Sequence, residues 1–361
     1  MGHEITLSID AMGGDNAPDS VIDGIAKHAK RDPDVRFLLH GDTAVIEKLL
    51  SKRKILQGRA EIRHADDVIE MDAKPSVAVR RGRQSSLWRA LESVRDGEAS
   101  AMVSAGNTGA MMAMALFCLR RASGVDRPAI AALWPTNGPH AHCIVLDMGA
   151  DVRADAADLA KYAVMGSEYA RIALGADAPR VAILNVGTEE NKGRPEVKEA
   201  AETLREMAAN PDCAFRFEGF IEANAIPTGQ ADVVVTDGFT GNVALKAAEG
   251  TARFVGDHLR GAFEHHWSSR IAALFAMGSL RRLKRRIDPR RVNGGVFLGL
   301  DGLAVKSHGS ADATGFAAAI ELAATMSRAD VIKRIAVQLE TAPMQAPDAR
   351  PAPAQDDEAR E

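Results

Sequence analysis

Apolar and polar residues alternate over residues 5–9, stop at a glycine-rich polar loop, AMGGDNAP, and give way to a helical pattern reaching Lys30. The same unit recurs, with a strand predicted at 35–39, a helix at 43–54 and a strand at 60–64. After Pro75 the chain reads as mostly helical to Arg95, and residues 101–119 give another strand, small-residue loop and helix. Strands at 130–134, 143–146, 181–184, 215–221 and 233–235 follow, interleaved with helices at 155–174, up to Asn210 and at 243–264. Two short apolar runs, 296–300 and 303–305, lead into an unbroken helical pattern from 311 to about 340. This alternation predicts an α/β protein: a three-layer α/β/α sandwich on a Rossmann-like, doubly wound, mostly parallel sheet. Residues 1–340 read as a single domain, and 341–361, rich in Pro, Ala, Asp and Glu without apolar periodicity, as a disordered tail.

Composition removes several function classes. With 46% hydrophobic and 26% charged residues in 361, the chain has ordinary globular usage. A formal net charge of -4 argues against a general nucleic-acid binder. Cys118, Cys143 and Cys213 share no short spacing, so neither a disulfide framework nor a metal site is expected. The start of the chain leads directly into a strand with no secretory leader, which fits a cytoplasmic protein. The longest near-apolar run, 109–119, is too short to span a bilayer.

One segment stands apart. Within 265–291, Trp267, Ile271, Leu274 and Phe275 recur at helical spacing and precede a basic run containing Arg281, Arg282 and Arg285. Apolar anchors beside clustered cations suit the surface of an anionic membrane. A helix packed on the protein or on a second copy would carry the same pattern. Arg80, Arg81 and Arg83 form a smaller basic run, fit either to meet an anionic surface or to be a solvated helix face.

Candidate chemistry gathers where strands end. Lys306, Ser307 and His308 place a cation, a hydroxyl and an imidazole beside a helix start, as binding a small anion requires. In SAGNTG, Ser104 and Gly106 allow close backbone approach, and Asn107 and Thr108 add hydrogen bonds at a helix N-terminus. Asp10, Asp15 and Asn16 follow the first strand; Asn185 and Lys192 follow a later one; Asp237, Thr240 and Asn242 close TDGFTGN. Each loop could instead be a capped turn. Neither a Walker lysine nor GxGxxG is present, so no nucleotide is implied. Met111, Met112 and Met114 read as core.

Together these loops resemble the bacterial phosphate acyltransferase family, which makes acyl phosphate from acyl carrier protein thioesters and inorganic phosphate. The matching stretches, in the family's order, are DAMGGDNAP at 10–18, SAGNTGA at 104–110, VLDMGAD at 145–151, NVGTEENKG at 185–193, GFIEAN at 219–224, TDGFTGN at 236–242 and KSHG at 306–309. One departure is Asp151, where the family's motif usually has asparagine; a carboxylate there would repel phosphate. The resemblance implies a sandwich like those of phosphotransacetylases and isocitrate-dehydrogenase-like enzymes, and a homodimer attached peripherally to the inner face of the cell membrane. It also implies delivery of acyl phosphate to a membrane acyltransferase acting on glycerol 3-phosphate.

On this reading Lys306 and the 104–109 loop hold phosphate, and His308 polarises the thioester carbonyl or takes a phosphate proton, its ordinary pKa of about 6.5 suiting either. No cofactor is required. A covalent route would use Ser307 or Cys118. Rival readings are a short-chain phosphotransacetylase, an isocitrate-type dehydrogenase, or a membrane scaffold without turnover.

Overall fold

The computed structural model describes residues 4–264 and 294–342, with residues 266, 269, 275, 276, 278 and 279 between them. Its apolar runs become β1 (Ile5–Asp10), β2 (Val35–Gly41), β3 (Ala60–His64), β4 (Ala101–Ser104), β5 (Ala129–Pro135), β6 (His142–Leu146), β7 (Arg180–Leu184), β8 (Arg216–Ile221), β9 (Val233–Val235), β10 (Gly295–Leu298) and β11 (Leu303–Lys306). They join in one 11-stranded sheet, in the order β3-β2-β1-β4-β11-β10-β5-β6-β9-β7-β8. Most neighbours are parallel, but β10 runs antiparallel to both β11 and β5, and β5 antiparallel to β6. The sheet therefore holds two sets of strands pointing opposite ways: β1 to β4 with β11 and β5, and β6 to β9 with β10.

Helices cover both faces because the strands alternate between two apolar cores. Leu7, Ile9, Val103, Leu146, Val233 and Val235 belong to one core, and Met102, Val145, Val234 and Phe297 to the other. Over the first lie α1 (Asp19–Ala29), α2 (Thr43–Leu50), α6 (Ala156–Ala173) and α7 (Pro195–Ala208). With them pack α9 (Ala313–Arg328) and α10 (Val331–Thr341). Over the second lie α3 (Pro75–Arg81), α4 (Ser86–Arg95), α5 (Thr108–Leu119) and the 27-residue α8 (Gly238–Glu264). Met111, Met112, Met114 and Cys118 of α5 are core residues.

Several boundaries differ from the sequence pattern. The pattern from 311 breaks into α9 and α10 at Asp330, whose φ of 50° is left-handed and turns Val331, Ile335 and Leu339 back into the core. The stretch after Pro75 is two helices parted by a 3₁₀ turn at Gly82–Gln84, and α8 starts at Gly238 rather than 243. Thr341, expected from sequence to lie in the tail, closes α10; residues 343–361 lie outside the described residues. So do Trp267, Ile271, Leu274, Arg281, Arg282 and Arg285, whereas Phe275 is described and 89% exposed. No described helix is long and apolar enough to cross a membrane.

Candidate active site

The site is built from three loops at the carboxyl ends of β1, β4 and β11, which are neighbours in the sheet. Asp10, 1% exposed, ties them together. Its Oδ1 accepts the N–H groups of Met12 and Gly13 and the Ser86 hydroxyl, and its Oδ2 accepts the Ser104 hydroxyl at 2.6 Å. Ser104 Oγ in turn accepts the Gly106 N–H at 2.9 Å. Burial raises the Asp10 pKa against these four donors. Asp15 donates its N–H to Gly309 O, and Asn16 its amide to Ser310 O, joining the first loop to the third. Asn107 accepts the Ala110 N–H and donates to Met71 O and Ala73 O, capping α5.

Lys306 is buried among these loops, 9% exposed, with Nζ pointed at the carbonyls of Ala105 and Ser307. Burial lowers its pKa from 10.5 to about 8, and Asp10 and Asp15 oppose that shift. Ser307, fully buried, donates its N–H to Ser104 O. Thr108 opens α5, and the first N–H groups of a helix have no intrahelical partner. The buried Lys306 Nζ thus lies against Ala105, three residues before the start of α5, and a helix N-terminus favours an anion.

His308 reaches solvent, yet the protein around its ring lowers its pKa below the ordinary imidazole value. Its Nδ1 lies 3.4 Å from the Ser310 N–H and 3.1 Å from Ser310 Oγ. A main-chain N–H can only donate, so this contact directs the ring proton of the neutral imidazole to Nε2.

The remaining candidates come from the opposite edge of the sheet, because β6, β7 and β9 run the other way. Asn185 donates to Lys192 O, and Lys192 pairs with Glu189 at 2.7 Å, so this loop is stitched to itself. Asp237, 1% exposed, accepts the Thr240 N–H and hydroxyl at the start of α8 and the Arg194 guanidinium. Beside it Asp147, fully buried, accepts the N–H groups of Ile130, Gly149, Ala150 and Asp151. Gly238 and Gly241 lay the first turn of α8 directly on this loop, where a Cβ on either would collide with Asp147.

What joins the two edges is α8. Asn242 sits against Gly149, and one and two turns further along the same face Lys246 acts electrostatically on Lys306 and His308, and Glu249 on His308. A positive field from Lys246 helps depress both pKa values, while its 2.9 Å pair with Glu249 moderates it.

Comparison with known proteins identifies the family. Residues 5–334 match the sequence profile of the family described as fatty acid synthesis protein. A phosphate acyltransferase from Jannaschia sp. is 54% identical over 339 residues, which are 94% of this chain and 92% of that one. The chain belongs to the phosphate acyltransferase family. A phosphate acyltransferase from Paracoccus denitrificans is 53% identical over 338 residues, covering 94% of this chain and 91% of that protein. Among solved structures, a phosphotransacetylase from Streptococcus pyogenes superposes with a TM-score of 0.60 at 19% identity, over 90% of this chain and 94% of that one. Another from Staphylococcus aureus gives 0.56 at 16% identity, over 90% and 94%. Those two share the fold. The protein is an acyltransferase that transfers an acyl group to phosphate in fatty acid and phospholipid synthesis.

Within this acyltransferase the polar loops named from sequence play different structural roles. Asp10, Ser104, Asn107 and Asp237 spend their polar atoms holding backbone or one another. Lys306 and His308 lie together at the carboxyl end of β11, with Lys306 reaching the loop that leads into α5, whereas Asn185 and Lys192 follow β7, which runs the other way. Ser86, Asp147, Arg194, Lys246 and Glu249 escaped the sequence reading. Asp147 lay inside a quoted motif; Lys246 and Glu249 had no signal, being polar residues on a long exposed helix. Asp151 is 9% exposed and bonded to Arg127 at 2.7 Å, so its charge is met by a guanidinium.

Proposed function

We propose that the acyltransferase takes a long-chain fatty acyl group from the thioester of acyl carrier protein and gives it to inorganic phosphate. The observation that carries this reading is buried Lys306 with its Nζ on the loop that leads into α5, and the neutral imidazole of His308 two residues further along the chain. Phosphate is held as a dianion by Lys306, the Thr108 hydroxyl and the first N–H groups of α5. One phosphate oxygen attacks the thioester carbonyl carbon. The C–O bond forms, the C–S bond breaks, and the electron pair leaves with the carrier thiolate, which is protonated to the free thiol. His308 Nε2–H donates to the carbonyl oxygen as negative charge builds there. Positioning and charge stabilisation supply the catalysis.

Direct attack is favoured over an acyl-enzyme. Burial pushes the Cys118 thiol up to about 11, so it is protonated at neutral pH, and it lies near the end of α5 far from Thr108. The acyl phosphate then serves the first acylation of glycerol 3-phosphate by a membrane acyltransferase, with the enzyme cytoplasmic and held peripherally on the anionic membrane face. A homodimer is supported by α8, whose Phe239, Val243 and Phe254 are each more than half exposed along one stripe.

The reading is tested with palmitoyl carrier protein and purified enzyme, following thiol release with and without inorganic phosphate and trapping the product with hydroxylamine. Phosphate-dependent thiol release with matching acyl hydroxamate is expected. Thiol release that ignores phosphate, or none from folded enzyme, would remove this function. Turnover of acetyl-CoA in preference to the palmitoyl substrate would move the reading to a short-chain phosphotransacetylase.

A further inference from the structure

A groove of about 370 Å³ between α4 and α5 is lined by Arg83, Arg89, Arg95 and Arg120 around Trp88 and Phe117. Phe117 is 58% exposed and stands 6.1 Å from Trp88, centroid to centroid. The Arg83 guanidinium lies over both rings, 5.5 Å from Trp88 and 5.7 Å from Phe117, which fixes its position. Glu92 is the groove's carboxylate; it pairs with Arg89 at 2.9 Å and Arg95 at 3.4 Å, and Asp96 also pairs with Arg95. Among the described residues no carboxylate pairs with Arg83 or Arg120, nor with Arg80 and Arg81 on α3. Elsewhere Arg36, Arg53, Arg127, Arg180 and Arg328 are each held by a carboxylate. A protein of net charge -4 has thus left two guanidiniums of this groove, Arg83 and Arg120, without a carboxylate partner among the described residues.

From this groove we infer the docking surface for the acidic carrier protein, with Arg83 and Arg120 meeting carboxylates of a carrier helix and Phe117 packing against its apolar side. The inference rests on the carrier-dependent reading of the active site. Charge complementarity selects this occupant, since an acidic protein fits unpaired arginines and an exposed ring gives it a central anchor. The position suits the chemistry. Phe117 and Thr108 are on one helix, nine residues or about 14 Å apart, a distance that a thioester on an extended pantetheine arm spans.

The test compares two substrates with the same acyl chain, one on carrier protein and one on free pantetheine, in wild type and in the double variant Arg83→Glu with Arg120→Glu. KM for the carrier substrate should rise about tenfold or more while kcat and the pantetheine reaction stay unchanged. Phe117→Ser should act in the same direction, and Arg83→Lys with Arg120→Lys should restore most of the affinity. An unchanged carrier KM in folded variants overturns the proposal, as do equal losses on both substrates. Loss of binding to phosphatidylglycerol vesicles, or of a dimer in sedimentation, with carrier KM intact would assign the groove to a membrane or a second copy. Fluorescence anisotropy of labelled holo carrier protein reads the surface without turnover. Wild type that binds carrier through these arginines but forms no acyl phosphate would sink the function and leave the surface standing.

Discussion

On the proposed reading, the protonation state of Lys306 governs phosphate binding. Its pKa, lowered to about 8 by burial, lies inside the range of an ordinary assay. A dianion binds the protonated amine, so KM expressed per phosphate dianion should be level below about pH 8 and climb towards tenfold per pH unit above it, as initial rates across pH would show. The sign for stability is opposite. The unfolded lysine binds its proton more tightly than the folded one, so phosphate-free enzyme should gain stability as pH rises from 8 towards 10.5, measured by denaturant titration. Asp10→Ala should cost about 1–3 kcal/mol in the same titration and lower kcat, because Ser86, Ser104 and two N–H groups lose their acceptor. The sequence could not distinguish Asp10 from Asp15, since a carboxylate that organises a loop and one that faces a ligand look alike in composition.

At the scale of elements, α8 carries the coupling between the two edges of the sheet. Gly241→Ala would drive a Cβ into the Asp147 carbonyl and lift the helix start. A loss of about 1–3 kcal/mol is expected by thermal unfolding, with a lower kcat as Lys246 and Glu249 move. Lys246→Glu replaces a charge that lowers the pKa of both Lys306 and His308 with one that raises them. The alkaline rise in phosphate KM should therefore shift to higher pH, and a profile that stays in place would detach α8 from the site. The start of α8 was hidden from sequence because Gly238 and Gly241 are poor helix formers that the close approach to Asp147 demands. The break at Asp330 was hidden because apolar periodicity continues through it.

For the whole molecule, the alternation of strands and helices was enough to read a layered α/β fold, since apolar runs buried on both faces leave few other arrangements. Strand direction was not in that alternation. The connections did contain it: six residues between β5 and β6, and four between β10 and β11, can only join antiparallel strands. The long polar loops were legible because seven of them matched one family in order, a constraint that no single loop supplies.

Initial rates of thiol release from palmitoyl carrier protein should be followed as phosphate is varied, for wild type and for Lys306→Ala with its folding verified by circular dichroism. The phosphate KM is expected to rise by about a hundredfold, in keeping with loss of a buried charged hydrogen-bond donor. A variant whose phosphate curve overlies that of wild type would show that phosphate binds elsewhere and contradict the site described above.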